Sequence, residues 1–150
     1  VVYGGYYYEA GRFDKQLDRA GYKGPFLGGD GIMDRGFKAI TGATIAARAH
    51  VLTGNAPPAS RSSFTQAYRA AFGSAPRTNS LEAYDATKVF LAGLAAGAST
   101  RAAMLSAVDH YSAQGLTKKI AFSAKGEVIR PPVWAYKPVG SSFTVRARVQ

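Results

Sequence analysis

The sequence predicts an α/β protein with a mainly parallel, open sheet flanked by helices. Short β-branched and aromatic runs alternate along the chain with segments whose apolar residues recur every three or four positions. This alternation is typical of parallel strands joined by helices. A chain of 150 residues buries roughly 70% of its unfolded surface, which is enough for a hydrophobic core without disulfides or metals. We therefore expect one α/β unit over residues 1–150.

The first part of the chain, residues 1–53, has the pattern of strand, helix and strand. Val1 to Tyr3 is a short β-branched and aromatic run that glycines close. The apolar residues of 8–20 share one helical face. A second apolar run, Phe26-Leu27, ends in a cluster of glycines. A further helix over 34–40 and a strand over 47–52 would complete this part.

A linker or crossover is predicted over residues 54–60, because prolines and small residues there discourage both helix and strand. Residues 61–150 then read as three helices followed by extended segments. The predicted helices are 63–72, 81–96 and a third from a Ser99 or Thr100 cap to about Tyr111, and the predicted strands are 118–122, 133–136 and 143–149. The helix over 81–96, with Asn79 or Ser80 as its cap, is apolar on more than one side. It should therefore be covered from two directions.

Nucleic acid is the first partner that the charge suggests, since 19 Lys and Arg against 9 Asp and Glu give a formal net charge of +10. Proteins that bind nucleic acids concentrate their basic residues on one face or in a run. Here these residues are dispersed, and Lys118 and Lys119 are the only adjacent pair. We therefore predict a basic solvated surface and no specific nucleic-acid binding, and a nucleic-acid-associated protein is the less favoured alternative.

Catalysis and metal binding find little support in the residues. The sequence has no cysteine, which excludes a thiol nucleophile and zinc sites with sulfur ligands. His50 and His110 lie too far apart for a local metal motif. There is no G-x-S-x-G motif, and the cluster Gly28 to Gly31 lacks the lysine and hydroxyl of a phosphate-binding loop. We predict a protein that is not an enzyme and that uses no cofactor.

Polar side chains follow the first two predicted strands. Tyr6, Tyr7 and Tyr8 come after the first strand, and Asp30 comes after the second. Ligands of open α/β sheets bind beyond the carboxyl ends of the strands, where these loops converge. A carboxylate beside an aromatic ring suits an ammonium group next to an apolar group. The alternative is that the tyrosines pack on the core and Asp30 only caps a helix or stabilises a turn.

Several stretches carry a family resemblance through nearly the whole chain, in order. They are Tyr3–Glu9, Leu17–Gly31, Glu82–Thr87, Gly115–Thr117 and Phe122–Glu127, the last before a Val-Trp-Ala-Tyr strand. In these stretches the sequence resembles type I periplasmic (solute) binding proteins of branched-chain amino-acid ABC importers. The resemblance covers only the later half of such a two-lobed protein.

The resemblance implies a flavodoxin-like three-layer sandwich and non-catalytic binding of a small amino acid between two lobes. It places residues 1–53 in the ligand lobe. It assigns the acidic role, pairing with the ligand ammonium, to Asp30, and the role of covering tyrosine to Tyr6. Gly5, Tyr7 and Gly31 are the further ligand-binding residues that we expect. Asp30 stands where many relatives carry Glu, so its carboxylate reaches one methylene less far.

The resemblance also implies a cellular location and binding partners. The family is extracytoplasmic, in the periplasm or at the cell surface, and the parent protein would meet the membrane subunits of an ABC importer. Residues 1–8 have neither the basic start nor the apolar core of a signal peptide. Since the first lobe has no counterpart, we expect weak or lost amino-acid affinity. We also expect exposed apolar surface that drives a homo-oligomer or domain-exchanged dimer. The alternative function is a truncated or engineered structural fragment that binds no ligand.

Overall fold

The chain folds into two compact units. Unit 1 comprises Val1–Gly54 and Val133–Gln150, and unit 2 comprises Asn55–Pro132. The computed structural model describes residues 1–57 and 62–150. The end of the predicted linker, residues 58–60, lies outside the described residues.

Helices and strands alternate in the first third of the chain, as predicted. In chain order the elements are β1 (Val2–Tyr3), α1 (Tyr7–Arg19), β2 (Phe26–Gly28), a 3-10 helix (Asp30–Ile32), α2 (Arg35–Thr41), α3 (Ala43–Ala46), β3 (Ala49–Thr53), α4 (Ser63–Phe72), α5 (Ser80–Ala95), α6 (Arg101–Asp109), β4 (Ser112–Gln114), β5 (Lys119–Ala121), β6 (Trp134–Val139) and β7 (Ser142–Arg148).

A five-stranded sheet in the order β1-β2-β3-β6-β7 forms the centre of unit 1. The strands β1, β2 and β3 are parallel, β6 is antiparallel to β3, and β7 is antiparallel to β6. The first three strands and β7 therefore run in one direction. This confirms the predicted mixed α/β fold with a mostly parallel sheet flanked by helices.

The core of unit 1 lies on one face of this sheet. Side chains alternate between faces along each strand, and the buried residues of β2, β3 and β6 share a face. The helices α1, α2 and α3 add their buried residues to the same cluster. Its buried members are Ala10, Phe26, Ile32, Phe37, Ala46, Ala49, Val51 and Tyr136. On the opposite face, the side chains of Val2 and Leu52 are exposed.

Aromatic rings dominate the middle of this core. The ring of Phe26, which is fully buried, has its centroid 6.0 Å from that of Tyr3, 6.3 Å from that of Phe13 and 6.1 Å from that of Phe37. These separations are typical of favourable ring pairs. The stack joins β1 and β2 to the helices α1 and α2.

Unit 2 contains α4, α5, α6 and the antiparallel pair β4-β5. The helix α4 has the predicted bounds, and the side chain of Ser62 caps it by accepting a hydrogen bond from the Thr65 amide. Thr100, one of the two predicted caps, accepts from the Ala103 amide at the start of α6. Asn79, one of the two predicted caps, occupies the N-cap position of α5, but its side chain makes no cap hydrogen bond. The hydroxyl of Ser80, the other predicted cap, accepts from the Arg77 amide.

The segment after α6 differs from the prediction as well. The helix ends at Asp109 rather than near Tyr111, and Ser112–Gln114 forms the unpredicted strand β4. None of the helices in residues 1–57 and 62–150 is long and apolar enough to cross a lipid bilayer.

Candidate functional site

The loops that follow β1 and β2 meet at one edge of the sheet of unit 1. Tyr3 and Gly28 are register partners in the parallel pair β1-β2, so both loops leave the sheet at the same end. A Cβ atom placed on Gly31 would lie 2.6 Å from the carbonyl oxygen of Gly5 and 3.4 Å from Cδ1 of Tyr6. The structure therefore brings together Gly5, Tyr6 and Gly31, three of the five predicted site residues.

Asp30 is next to this contact, as the first residue of the 3-10 helix. It is exposed, and its carboxylate forms no hydrogen bond or ion pair with the described residues. The side chain that caps the next helix is Asp34, whose Oδ1 accepts a hydrogen bond from the Gly36 amide at 2.7 Å. The structure thus gives the capping role to Asp34, and the carboxylate of Asp30 is left available.

The three consecutive tyrosines have different surroundings. Tyr6 precedes the first turn of α1, and 73% of it is exposed to solvent. Tyr7 packs against the core cluster, with its ring against Gly36. Tyr8 is exposed, and its hydroxyl accepts a hydrogen bond from the guanidinium of Arg12. The ring of Tyr6 is therefore the freest of the three, whereas the ring of Tyr7 takes part in the packing of unit 1.

Arg12 is a residue near the site that sequence reasoning missed. Its guanidinium carbon lies 4.2 Å from the centroid of the Tyr8 ring, which is a cation–π distance. The signal was present in the sequence, because Tyr8 and Arg12 are four positions apart on a predicted helix and so lie on one face. Arg12 adds a positive charge one helical turn from the tyrosines.

A buried ion pair lies deeper in unit 1, between Asp14 of α1 and Arg48 just before β3. The carboxylate of Asp14 is fully buried. Burial raises the pKa of the Asp14 carboxyl above its ordinary value of 3.8, and the hydrogen bonds and charge of Arg48 oppose that rise. The pair holds the start of β3 against α1 and has a structural role.

The histidine and acidic residues that the structure describes form no metal centre. No three His, Asp or Glu side chains within residues 1–57 and 62–150 are grouped so that they could hold a metal ion. His50 lies on β3, where burial and then the nearby charge of Lys137 lower the pKa of its imidazole.

A protein-family comparison identifies the fold. The family model described as periplasmic binding protein matches residues 1–141. The chain belongs to this family. Its members are solute-binding proteins without catalytic activity, so the prediction of a protein that is not an enzyme is supported at the level of the family.

Solved structures of this periplasmic binding protein family resemble the chain closely in fold. They include the leucine binding protein LivK of Thermotoga maritima, which is 23% identical with a TM-score of 0.81 over 99% of this chain and 44% of that protein. The branched-chain amino acid transporter substrate binding protein LivJ of Streptococcus pneumoniae, solved with isoleucine, is 25% identical with a TM-score of 0.74 over 98% and 42%. A solute binding protein of an ABC transporter from R. palustris, solved with benzoate, is 19% identical with a TM-score of 0.67 over 93% and 39%.

The chain therefore spans less than half the length of these structures. The resemblance to binding proteins of branched-chain amino-acid ABC transporters is confirmed, and so is its partial extent. A comparison with curated proteins gives no match.

Proposed function

We propose that this periplasmic binding protein chain recognises an amino acid with an apolar side chain, and that it binds this ligand without turnover. The observation that carries the proposal is the meeting of two loops at the end of β1 and β2. There the free carboxylate of Asp30 and the exposed ring of Tyr6 flank the contact between Gly5 and Gly31.

Each residue of this site has a distinct part in the proposal. Asp30 accepts a charge-assisted hydrogen bond from the ligand ammonium. Tyr6 covers the apolar side chain with its ring, while Gly5 and Gly31, which have no side chains, let the ligand approach the backbone of the two loops. Tyr7 packs on the core cluster and so helps to hold the loop that carries Gly5 and Tyr6. The LivJ structure that resembles the chain holds isoleucine, which supports an aliphatic amino acid as the ligand.

The partial length leads us to propose weak affinity. A ligand held only by this site would stay open to water on its other side, so its hydrogen bonds would compete with solvent. In a longer parent protein, residues 1–53 would form part of the ligand lobe and 54–60 a crossover. That parent would lie outside the cytoplasm and would deliver its ligand to the membrane subunits of an ABC importer.

We further propose that the chain associates with itself through unit 2. The helix α5 exposes 54% of Phe90, 52% of Leu91 and 57% of Leu94. Exposed apolar side chains grouped in this way mark surfaces that other molecules cover. A homo-oligomer or a domain-exchanged dimer would remove them from water.

Titration of the chain with amino acids tests the proposed site. We expect L-leucine, L-isoleucine, L-valine and L-phenylalanine to bind, and Asp30→Ala to lower the affinity by roughly 10- to 150-fold, as for loss of a hydrogen bond to a charged group. The matched ligand is 4-methylpentanoate, which is leucine without its ammonium group. Its affinity should not fall in Asp30→Ala, because it has no ammonium group to lose a bond to Asp30.

Two outcomes would contradict the proposal in different ways. If Asp30→Ala leaves leucine affinity unchanged, the site is elsewhere. If none of the four amino acids binds at millimolar concentration, the chain is a structural fragment without ligand binding, which is the second candidate. The observation that supports this second candidate is that the chain covers only part of the length of its relatives.

A further inference from the structure

We propose that the backbone contact between Gly31 and Gly5 sets the spacing of Asp30 and Tyr6, so that Gly31 is a positioning residue for amino-acid binding. This inference rests on the proposed function. It adds a specific requirement, which is that a side chain at position 31 would weaken binding even where the fold persists.

The requirement for glycine at position 31 comes from a steric contact with the backbone of Gly5. A Cβ atom there would lie 2.6 Å from the carbonyl oxygen and 3.3 Å from the carbonyl carbon of Gly5. Real Cβ atoms essentially never come within 3.0 Å of another heavy atom. The obstructing atoms belong to the backbone, so they cannot turn aside as the end of a flexible side chain can. Gly31 is not among the glycines with positive φ, so backbone strain does not account for it.

The first loop is held in place from its other side. A Cβ atom on Gly5 would lie 2.7 Å from Cε1 and from the hydroxyl oxygen of Tyr3, so the Tyr3 ring rests against this glycine. That ring is itself packed in the core, with centroids 5.7 Å from Phe13 and 6.0 Å from Phe26. Because interiors are densely packed, Gly5 has little room to retreat from a larger residue at position 31.

The second loop is anchored in the same way. Ile32 is fully buried, and its Cδ1 atom would lie 2.6 Å from a Cβ atom on Gly28 at the end of β2. The 3-10 helix that carries Asp30 is therefore fixed to the sheet just beyond Gly31. A methyl group at position 31 must push two anchored loops apart, and Asp30 moves relative to Tyr6.

Such a displacement matters for recognition because aspartate has a short side chain. A charge-assisted hydrogen bond from an ammonium to a carboxylate is formed at about 2.7 to 2.9 Å. With only one methylene between the carboxylate and the backbone, Asp30 has little freedom to follow a ligand when its backbone moves. Glutamate at the same position would reach further.

The test compares Gly31→Ala with Gly29→Ala, its matched control. A Cβ atom on Gly29 would meet nothing within 4 Å, and the φ of this residue is −88°. We expect Gly31→Ala to lower L-leucine affinity at least 10-fold and Gly29→Ala to change it less than 2-fold. The affinity for 4-methylpentanoate should be similar in all three proteins, because this ligand makes no bond to Asp30.

A second substitution distinguishes a displaced Asp30 from a general loss of structure in Gly31→Ala. In the Gly31→Ala background, Asp30→Glu should recover part of the lost leucine affinity, because the longer side chain spans the added distance. Circular dichroism first confirms the fold of each variant, and sucrose is added to all samples to favour folded chains.

Three outcomes of this test are distinguishable. Wild-type affinity in folded Gly31→Ala, together with weak binding by Asp30→Ala, would overturn the positioning inference and leave the proposed function intact. Loss of binding that Asp30→Glu does not recover would also overturn it. Leucine affinity unaffected by Asp30→Ala itself would overturn the proposed function.

Discussion

Arg48 donates a hydrogen bond from Nη2 to Oδ1 of Asp14 at 2.5 Å, and the carboxylate that accepts it is fully buried. A second donor, Nε of the same guanidinium, lies 3.1 Å from Oδ1. The other carboxylate oxygen, Oδ2, has no hydrogen-bond partner among the described residues. The charge of Asp14 is therefore balanced in the core by one arginine.

Removal of that arginine should destabilise unit 1 strongly. Arg48→Met keeps much of the apolar stem but leaves a buried carboxylate without a cation, which typically costs about 3 to 5 kcal/mol. Urea unfolding at pH 7, followed by circular dichroism, measures the loss. Arg19→Met, at an exposed position in the last turn of α1, is the control and should change the free energy of unfolding by about 0.5 kcal/mol or less. If Arg48→Met lowers the free energy of unfolding by as little as Arg19→Met does, the ion pair contributes little to stability.

The cost of Arg48→Met should depend on pH in a defined direction. Because burial raises the pKa of Asp14 in the folded state above 3.8, the folded chain binds the proton more tightly than the unfolded chain. The contribution of the Asp14 carboxyl to the free energy of unfolding is therefore greatest in acid, and it falls as pH rises through the raised pKa. Loss of Arg48 raises that pKa further. Unfolding at pH 4 and pH 8 should show the larger destabilisation at pH 8, and equal losses would contradict this account.

Asp85 should hold the loop between β4 and β5. Its Oδ1 accepts from the Leu116 amide at 2.7 Å, and its Oδ2 accepts from the amide and hydroxyl of Thr117 at 2.9 and 2.7 Å. Asp85→Asn replaces an acceptor by a donor that faces these donors, so we expect a cost of about 2 kcal/mol. Hydrogen exchange at the Leu116 and Thr117 amides should accelerate. Asp109→Asn, at the exposed end of α6, should leave both amides as protected as in the wild type.

Phe26 should be the most sensitive aromatic position in the core. Its fully buried ring contacts three other rings, so Phe26→Ala should lower the free energy of unfolding by about 3 to 5 kcal/mol. Thermal unfolding measures this loss. Phe72, which is 68% exposed, provides the matched control, and Phe72→Ala should cost about 1 kcal/mol or less. Similar losses in both variants would contradict the assignment of the core.

Self-association should respond to the exposed face of α5. Sedimentation velocity of the wild type should show dimers or larger species, and Leu91→Gln with Leu94→Gln should shift the distribution towards monomer. Ala92→Gln, at an exposed position on a different side of the same helix from Phe90 and Leu94, should have no such effect. A wild-type chain that sediments as a compact monomer at all concentrations would rule out the proposed association.

Much of the fold was predictable because its signals are local. The helix α4 follows from the spacing of its apolar residues, and β2 follows from an apolar run between glycine and proline positions. The strand β4 was missed because Ser-Ala-Gln carries no strand pattern, and only its pairing with β5 makes it extended. Asp14 could not be recognised as buried, since its partner Arg48 lies 34 positions further along the chain.

The candidate site was predictable in outline only. The rule that loops gather at the carboxyl ends of parallel strands placed Tyr6 and Asp30 near one another. The contact that fixes their spacing joins residues 5 and 31, and no local pattern reveals that two glycines touch. Likewise, no local pattern distinguishes Asp34 from Asp30 as the cap of α2. In the structure Asp30 is the first residue of the 3-10 helix, whereas Asp34 directly precedes α2.

The register of β3 and β6 has a practical consequence for protein engineering. Thr53 and Trp134 are opposite one another in this antiparallel pair, and the chain of unit 2 departs and returns at that point. Antiparallel partners of this kind can be joined by a two-residue Asn-Gly turn. Replacing residues 54–133 by such a hairpin would yield a miniature of unit 1 in which the loops after β1 and β2 are retained.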